Sequence, residues 1–208
     1  MTADATRSTR IPLFPLEVVL FPGAPLPLHI FEPRYKEMIW LCLERSMEFG
    51  VVLQKTEEVA TTGCTAEILK LLQEYPDGRM DILTMGRVAF RIEELISDKA
   101  YYEARVTFLE DEARGVIPEH RTAALLALFD EAHRAVHGRR PEEPDSPASL
   151  AYHIASELPV DLEIKQALLE MRSEVARQEH LFSFLTHWLP RLRRSHEVKA
   201  RAGGNGHG

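Results

Sequence analysis

Apolar residues cluster in short runs through the first half of the chain and recur at helical spacing through the second. The change falls near residue 115. Before it, residues 11–14, 26–30, 49–53, 65–75, 80–85, 88–95 and 101–109 read as strands, with breaks at Gly86 and Ser97-Asp98-Lys99. Pro76-Asp77-Gly78-Arg79 is a turn signal between two of them. One helix interrupts the series over 33–46, where Tyr35, Met38, Ile39, Cys42 and Leu43 share a face. Pro33 suits a first helical position, and Glu32 ahead of it complements the dipole. Several strands at this spacing around one early helix predict a small closed or half-closed barrel.

Beyond 115 the apolar stripes are helical. Ala124, Leu125, Leu128, Phe129, Ala132 and Val136 mark a helix over 118–137. A short helix over 150–158 is stopped by Pro159. Val160, Ile164, Ala167, Leu168 and Met171 mark the next, with Asp161 as its cap. A long helix from Ser173 presents Leu181, Leu185, Trp188, Leu189 and Leu192. Amphipathic helices of this kind pack on one another as a bundle. The expected organisation is a flexible N-terminus over 1–9, a barrel over 10–115, a helical bundle over 116–194, and a disordered polar tail over 195–208. A charged, proline-rich loop over 138–147 joins the first two helices of the bundle.

Residues 11–35 break the usual rules. They hold six prolines, yet the residues between are mostly aliphatic or aromatic. Proline has a fixed φ and no backbone donor, which argues against helix interior or central sheet. The apolar load argues equally against disorder. Extended chain, kinked at Pro15 and Pro22-Gly23 and pinned on the rest of the fold, satisfies both constraints.

Pro12-Leu13-Phe14-Pro15-Leu16, Val19-Leu20-Phe21-Pro22-Gly23 and Leu26-Pro27-Leu28-His29-Ile30-Phe31-Glu32-Pro33-Arg34-Tyr35 together resemble the opening of the Lon protease amino-terminal domain. That family is also called the LON substrate-binding domain. Gly63-Cys64-Thr65-Ala66-Glu67-Ile68, Asp77-Gly78-Arg79 and Gly86-Arg87-Val88-Ala89-Phe90-Arg91-Ile92 extend the resemblance, which runs from about Arg10 to Leu192. It implies an α+β fold: a PUA-like β pseudobarrel with an early inserted helix, followed by a C-terminal α-helical bundle. It also implies a stand-alone module that binds polypeptide, without the ATPase and serine–lysine protease modules of a full Lon protease.

Charge and composition narrow the partners. Charged residues make up 27% of the chain and the formal net charge is -7, which disfavours an electrostatic grip on nucleic acid or anionic membrane. No apolar run approaches a membrane span, and residues 1–10 lack a signal-peptide core. Two cysteines give no disulfide framework. A cytoplasmic protein with free thiols is the expectation, and no cofactor is implied.

Most groups with chemical potential read in other roles. No phosphate-cradling glycine loop with its lysine and hydroxyl occurs in the sequence. Cys42 lies in an apolar stripe and reads as a core thiol. His133 and His137, four apart with Asp130 one turn earlier, have the spacing of metal ligands, but a solvated helix end near the C-terminal dipole is the reading preferred. His180 and His187, beside Trp188, read as packing residues. Arg191, Arg193, Arg194, Lys199 and Arg201 follow a helix terminus rather than forming an RNA platform, and alternation separates Phe90 from Arg87 and Arg91.

A binding module for unfolded or degron-bearing polypeptide, with a protease or chaperone as further partner, is therefore the leading expectation, in a protein quality-control role. His29 and the junction Phe31, Glu32, Pro33, Arg34 and Tyr35, where extended chain becomes helix, are the candidate peptide-binding rim. The plainer alternative is that Phe31 and Tyr35 are core residues and Glu32 with Arg34 caps the helix. The nearby prolines could leave neighbouring backbone groups open to a peptide strand, or blunt the edge against aggregation. A second function class is a regulatory or scaffold protein holding a small molecule or partner in a cleft between barrel and helices. A third is a hydrolase built on His29.

Overall fold

The computed structural model describes residues 9–56, 58–112, 115, 117–141 and 149–204, the last ten of these by backbone alone. Most of the expected flexible N-terminus, the 138–147 loop and the last four residues of the tail lie outside them. Six strands form one sheet: β1 (Thr9–Leu16), β2 (Pro25–Ile30), β3 (Phe49–Gln54), β4 (Val59–Glu74), β5 (Met80–Ile96) and β6 (Glu103–Phe108). Helix α1 (Pro33–Arg45) lies between β2 and β3. Helices α2 (Glu119–His137), α3 (Leu150–Glu157), α4 (Leu162–Glu170) and α5 (Glu174–Gly204) follow the sheet.

The strand order is β2-β5-β4-β3-β1-β6, and β6 returns to pair with β5. Five strands therefore close a ring, leaving β2 as a flap beside it. β5 makes this possible by its length. One of its edges follows β4 from Glu74 back to Thr62, while the other meets β2 over Met80–Met85 and β6 over Phe90–Ile96. The sequence predicts two strands here, broken at Gly86, but the strand runs through. The glycine marks a crossing instead. Gly23 N–H donates to the Gly86 carbonyl (2.8 Å), Gly86 N–H donates to the Ala24 carbonyl (2.9 Å), and a Cβ on Gly86 would stand 2.1 Å from the Phe21 carbonyl oxygen. The proline ribbon lies directly across β5 at that point.

β1 departs from the expectation that its prolines exclude it from the sheet interior, because it lies between β3 and β6. Its N-terminal half pairs antiparallel with β6, up to Pro12 opposite Glu103. Its C-terminal half pairs parallel with β3, from Leu13 opposite Gly50. Each half thus needs donors on one side only, which is how two prolines are tolerated in a strand with two partners.

Ile11 and Leu13 point into the ring with Val52, Phe90, Ala104 and Val106 as its core. Phe90 is fully buried, and its ring fills a slot left by two glycines: a Cβ on Gly50 or on Gly63 would come within 2.6 Å of its tip. Phe14, on the other face of β1 by strand alternation, stacks against Tyr35 of α1 with centroids 4.1 Å apart. At the ring's seam Glu103, nearly buried, takes hydrogen bonds from Arg10 of β1 and from Lys99 (3.2 Å). Burial works to raise the Glu103 carboxyl, but those bonds outweigh it and hold the group below its ordinary range.

The chain forms two compact units: one runs to Asp111 and includes residues 161–172, the other comprises 112–160 and 173–208. Helix α4 therefore groups with the strands rather than with the bundle, into which a stripe of apolar residues had placed it. Its stripe packs on β4, and buried Gln166 donates to the Thr62 carbonyl (3.0 Å). Amphipathicity states that a helix has a buried face without saying against what. In the helical unit α5 packs on α2 and α3. Glu174 at its start accepts from the Ala151 N–H (3.1 Å), Gln178 (2.8 Å) and fully buried Arg177 (3.0 Å), whose guanidinium lies over Tyr152 at 4.3 Å. The backbone of α5 stays helical to Gly204, where a disordered tail was expected from 195. Glu197, Lys199, Ala200, Arg201 and Ala202 are good helix formers, and extending an existing helix avoids the cost of nucleation.

Candidate functional site

Past the ring, β4, β5 and β2 continue as a three-stranded antiparallel extension ending in the turn at Pro76-Asp77-Gly78-Arg79. The turn closes with Tyr75 N–H donating to the Arg79 carbonyl (2.8 Å) and Gly78 N–H to the Tyr75 carbonyl (2.9 Å); Gly78 sits at φ 77°, a conformation that favours glycine. A shallow depression of about 380 Å³ crosses this extension, touching Leu28 and His29 of β2, Leu72 and Gln73 of β4, and Asp81 and Ile82 of β5.

His29 and Asp81 are cross-strand partners in register, and His29 Nδ1 lies 2.6 Å from Asp81 Oδ1. The other carboxylate oxygen of Asp81 accepts from the Tyr75 hydroxyl at 2.8 Å. Those two bonds, His29 first, hold the Asp81 carboxyl below its usual range, and the same carboxylate pushes the Tyr75 phenol up. Around this pair stand two rings: Tyr75 edge-on to His29 (6.0 Å), and Phe31 stacked beside it (6.1 Å, 24°). Phe31 is 60% exposed and Leu72 is 51% exposed, high values for side chains of their size.

The structure divides the six sequence candidates. His29 lines the depression, and Phe31 stacks on its ring. Glu32 and Arg34 pair with each other (2.8 Å), and Arg34 lies over the Tyr35 ring at 4.6 Å. Pro33 opens α1 with no side-chain cap from Glu32. Tyr35 is buried against Phe14. Sequence reasoning passes over Tyr75, Leu72 and Asp81, the β4 and β5 contributions. The turn signal offered a route to them: a hairpin closing at residues 76–79 sets Tyr75 close to Asp81.

Chemically, the His29–Asp81 pair supplies a base and its orienting carboxylate, but the next group in the chain is a phenol that holds its proton more tightly than usual. Cys42 is buried and its thiol is pushed up to about 12; Cys64, also buried, is raised further. Neither is a nucleophile at neutral pH. Arg87 pairs with Glu67 while Phe90 is inside the ring, so the two share no surface. His187 donates through Nδ1 to the Ser183 carbonyl (2.7 Å), and Trp188 stacks on Phe184. Among the described residues no helix is long and apolar enough to cross a membrane.

A second concavity lies wholly in the helical unit. It is an apolar groove of about 780 Å³ between the N-terminal halves of α2 and α5, lined by Ile117, Pro118, Leu125, Val175 and Phe182.

A family model described as the ATP-dependent protease La (LON) substrate-binding domain matches residues 10–187. The Lon protease of Amoebophilus asiaticus is 29% identical over 185 residues, 80% of this chain and 22% of that protein. That of Parabacteroides distasonis is 36% identical over 110 residues, 49% of this chain and 13% of that protein. That of Escherichia coli K12 is 26% identical over 205 residues, 89% of this chain and 26% of that protein. The chain thus spans about a quarter or less of the length of these relatives. Among solved structures, the Lon N-terminal domain protein from Xanthomonas campestris superimposes with a TM-score of 0.68 at 24% identity, covering 84% of this chain and 98% of that one. The N-terminal domain of the Mycobacterium avium complex Lon protease gives 0.59 at 13% identity, covering 86% and 98%. Both superpositions establish the α+β fold.

Proposed function

Because the chain belongs to the LON substrate-binding domain family, we propose that it is a non-catalytic polypeptide-binding module that holds unfolded or degron-bearing chains at the open end of its β unit. The observation that supports this reading is the depression lined by exposed Leu72 and by His29, with exposed Phe31 stacked on the His29 ring and the His29–Asp81–Tyr75 chain fixing its polar groups. Exposed apolar side chains around a few fixed polar groups are the ordinary make-up of a peptide-binding surface. The aromatic and leucine side chains supply apolar contact, and the ordered carboxylate and imidazole supply direction. A protein quality-control role, with a protease or chaperone receiving the bound chain, follows from the family and is part of the same proposal.

On the outer edge of β2, Pro25 and Pro27 have no N–H to offer, so a peptide strand added there would find few donors. Side-chain capture in the depression, rather than strand addition, is the mode this favours. The test is binding of fluorescently labelled unfolded casein by the purified chain, followed by anisotropy. Saturable binding that falls on Phe31→Ala and Leu72→Ala supports the proposal. No binding, or binding indifferent to both changes, ends it.

The second reading, a regulatory or scaffold protein for a small molecule or partner, is favoured by the apolar groove between α2 and α5. A thermal-shift screen in which a metabolite stabilises the chain, and Phe182→Ala removes the shift, would favour it.

A further inference from the structure

Helices α2 and α3 each carry two metal-ligand side chains one turn apart: His133 and His137 on the first, His153 and Glu157 on the second. The two pairs meet. His133 is 1% exposed, and its Nδ1 lies 2.8 Å from the Arg139 carbonyl oxygen, which can only accept. In the neutral ring that nitrogen therefore carries the proton, and Nε2 presents its lone pair. Facing Nε2 at 3.7 Å is a carboxylate oxygen of Glu157. Acceptor is set against acceptor. His137 is arranged in the same sense: Nε2 donates to the Glu157 carbonyl at 2.9 Å, which leaves Nδ1 as the acceptor of a ring 4.4 Å from that of His133. His153 meets the Phe129 ring edge-on, as His133 does, at 5.8 and 5.7 Å, and its Nε2 is buried with no hydrogen-bond partner.

A lone pair held opposite a carboxylate, with a further imidazole nitrogen buried and unpaired one turn away from that carboxylate on the same helix, is an arrangement that a cation satisfies. We propose that His133, His137, His153 and Glu157 bind a divalent transition-metal ion, Zn²⁺ foremost. Three imidazoles and a carboxylate suit zinc, with metal–ligand bonds of about 2.0–2.2 Å. Those bonds set tetrahedral donors roughly 3.3 Å apart, so the His133–Glu157 approach needs to close only slightly. The bond from His133 Nδ1 to a backbone carbonyl is the outer support that ligating histidines commonly use. Asp130, the third ligand suggested by sequence spacing, is instead taken by Arg134 and faces Arg140 at 3.9 Å.

As the side chains stand, no three such groups among the described residues converge closely enough to hold an ion. His137 and Glu157 are the exposed members, and rotation of those two about the fixed His133 completes the site from the solvent side.

The experiment is titration of the whole chain with Zn²⁺ at pH 7.5 against a chromophoric chelator, repeated for His137→Gln and Glu157→Gln. The expected result is one ion per chain, held about 10-fold or more weakly by each variant. Both positions are exposed, so the metal-free variants should melt with the wild type. Should either melt early, the Co²⁺ form of the wild type decides. Intense visible bands of tetrahedral cobalt at one equivalent support the site, whereas weak octahedral bands or none overturn it. Absence of Zn²⁺ binding, or binding unchanged in both variants, also overturns it.

Discussion

The same two strands, β4 and β5, build both ends of the β unit, and the two ends differ. Within the ring, β4 is buried without interruption from Thr62 to Ala66, and Phe90 of β5 is fully enclosed. Along the extension, β4 from Glu67 to Glu74 is half-buried or exposed at every position, with Leu69 at 43% and Leu72 at 51%. Leucine and phenylalanine occur at both ends, so residue type does not set the difference. Topology does. Where β6 returns to β5 the inner face has an opposite wall to pack against; where β2 takes over, the sheet has an edge and an uncovered face. A surface meant to hold a foreign chain has to be drawn from the second kind.

Four changes would break or sharpen that contrast. The largest effect is expected at the closed end, where Phe90→Ala empties the ring and costs about 3–5 kcal/mol in chemical denaturation. Casein binding by whatever remains folded should persist. Next, Gly63→Ala forces a Cβ to 2.5 Å from the Val51 carbonyl oxygen as well as into the Phe90 ring, and overpacking of that order costs about 1–3 kcal/mol. A variant as stable as wild type would show that the slot for Phe90 is looser than its geometry.

The seam is tested by Glu103→Gln, expected to cost roughly 1–3 kcal/mol at neutral pH. Glu103 has a folded pKa below its unfolded one, so its stabilisation is fully present above the unfolded value. It is lost as pH falls through the folded value. Wild type should therefore lose more stability than Glu103→Gln below about pH 4.5, and parallel pH profiles would contradict the seam. The smallest effect on folding belongs to the open end. Phe31→Ala should move stability by less than about 0.5 kcal/mol yet weaken casein binding by about 5-fold or more, as one lost aromatic contact would. The reverse pattern, a large fall in stability with unaltered binding, would place Phe31 in the core.

Much of this contrast could be read from the sequence, though not its cause. The strand pattern, the early helix and the core position of Cys42 are legible because they depend on local periodicity. The ring closure is not, since it rests on β1 serving two partners in turn, and a proline-rich strand gives no local sign of that. Gly86 shows the limit well: a glycine within a strand pattern reads as a break, and only the Phe21 carbonyl above it explains why a side chain is barred. For the candidate site, His29 and Phe31 were visible because they belong to the ribbon. Tyr75 and Asp81 were hidden because cross-strand register, not spacing along the chain, brings them to His29. Helix α4 was placed in the wrong company for a similar reason, as nothing near Gln166 in the sequence points to Thr62.

The pairing of β1 with β6 also governs how the molecule can be made. Arg10 and Glu103 are 93 residues apart, so during synthesis the first strand waits roughly 5–20 s for its partner to be translated. Through that interval the C-terminal half of β1 can already meet β3, but the half that carries Arg10 and Ile11 has no strand to pair with. Prolines in the ribbon deny backbone donors to any passing strand, which makes that waiting edge a poor template for aggregation until the ring shuts.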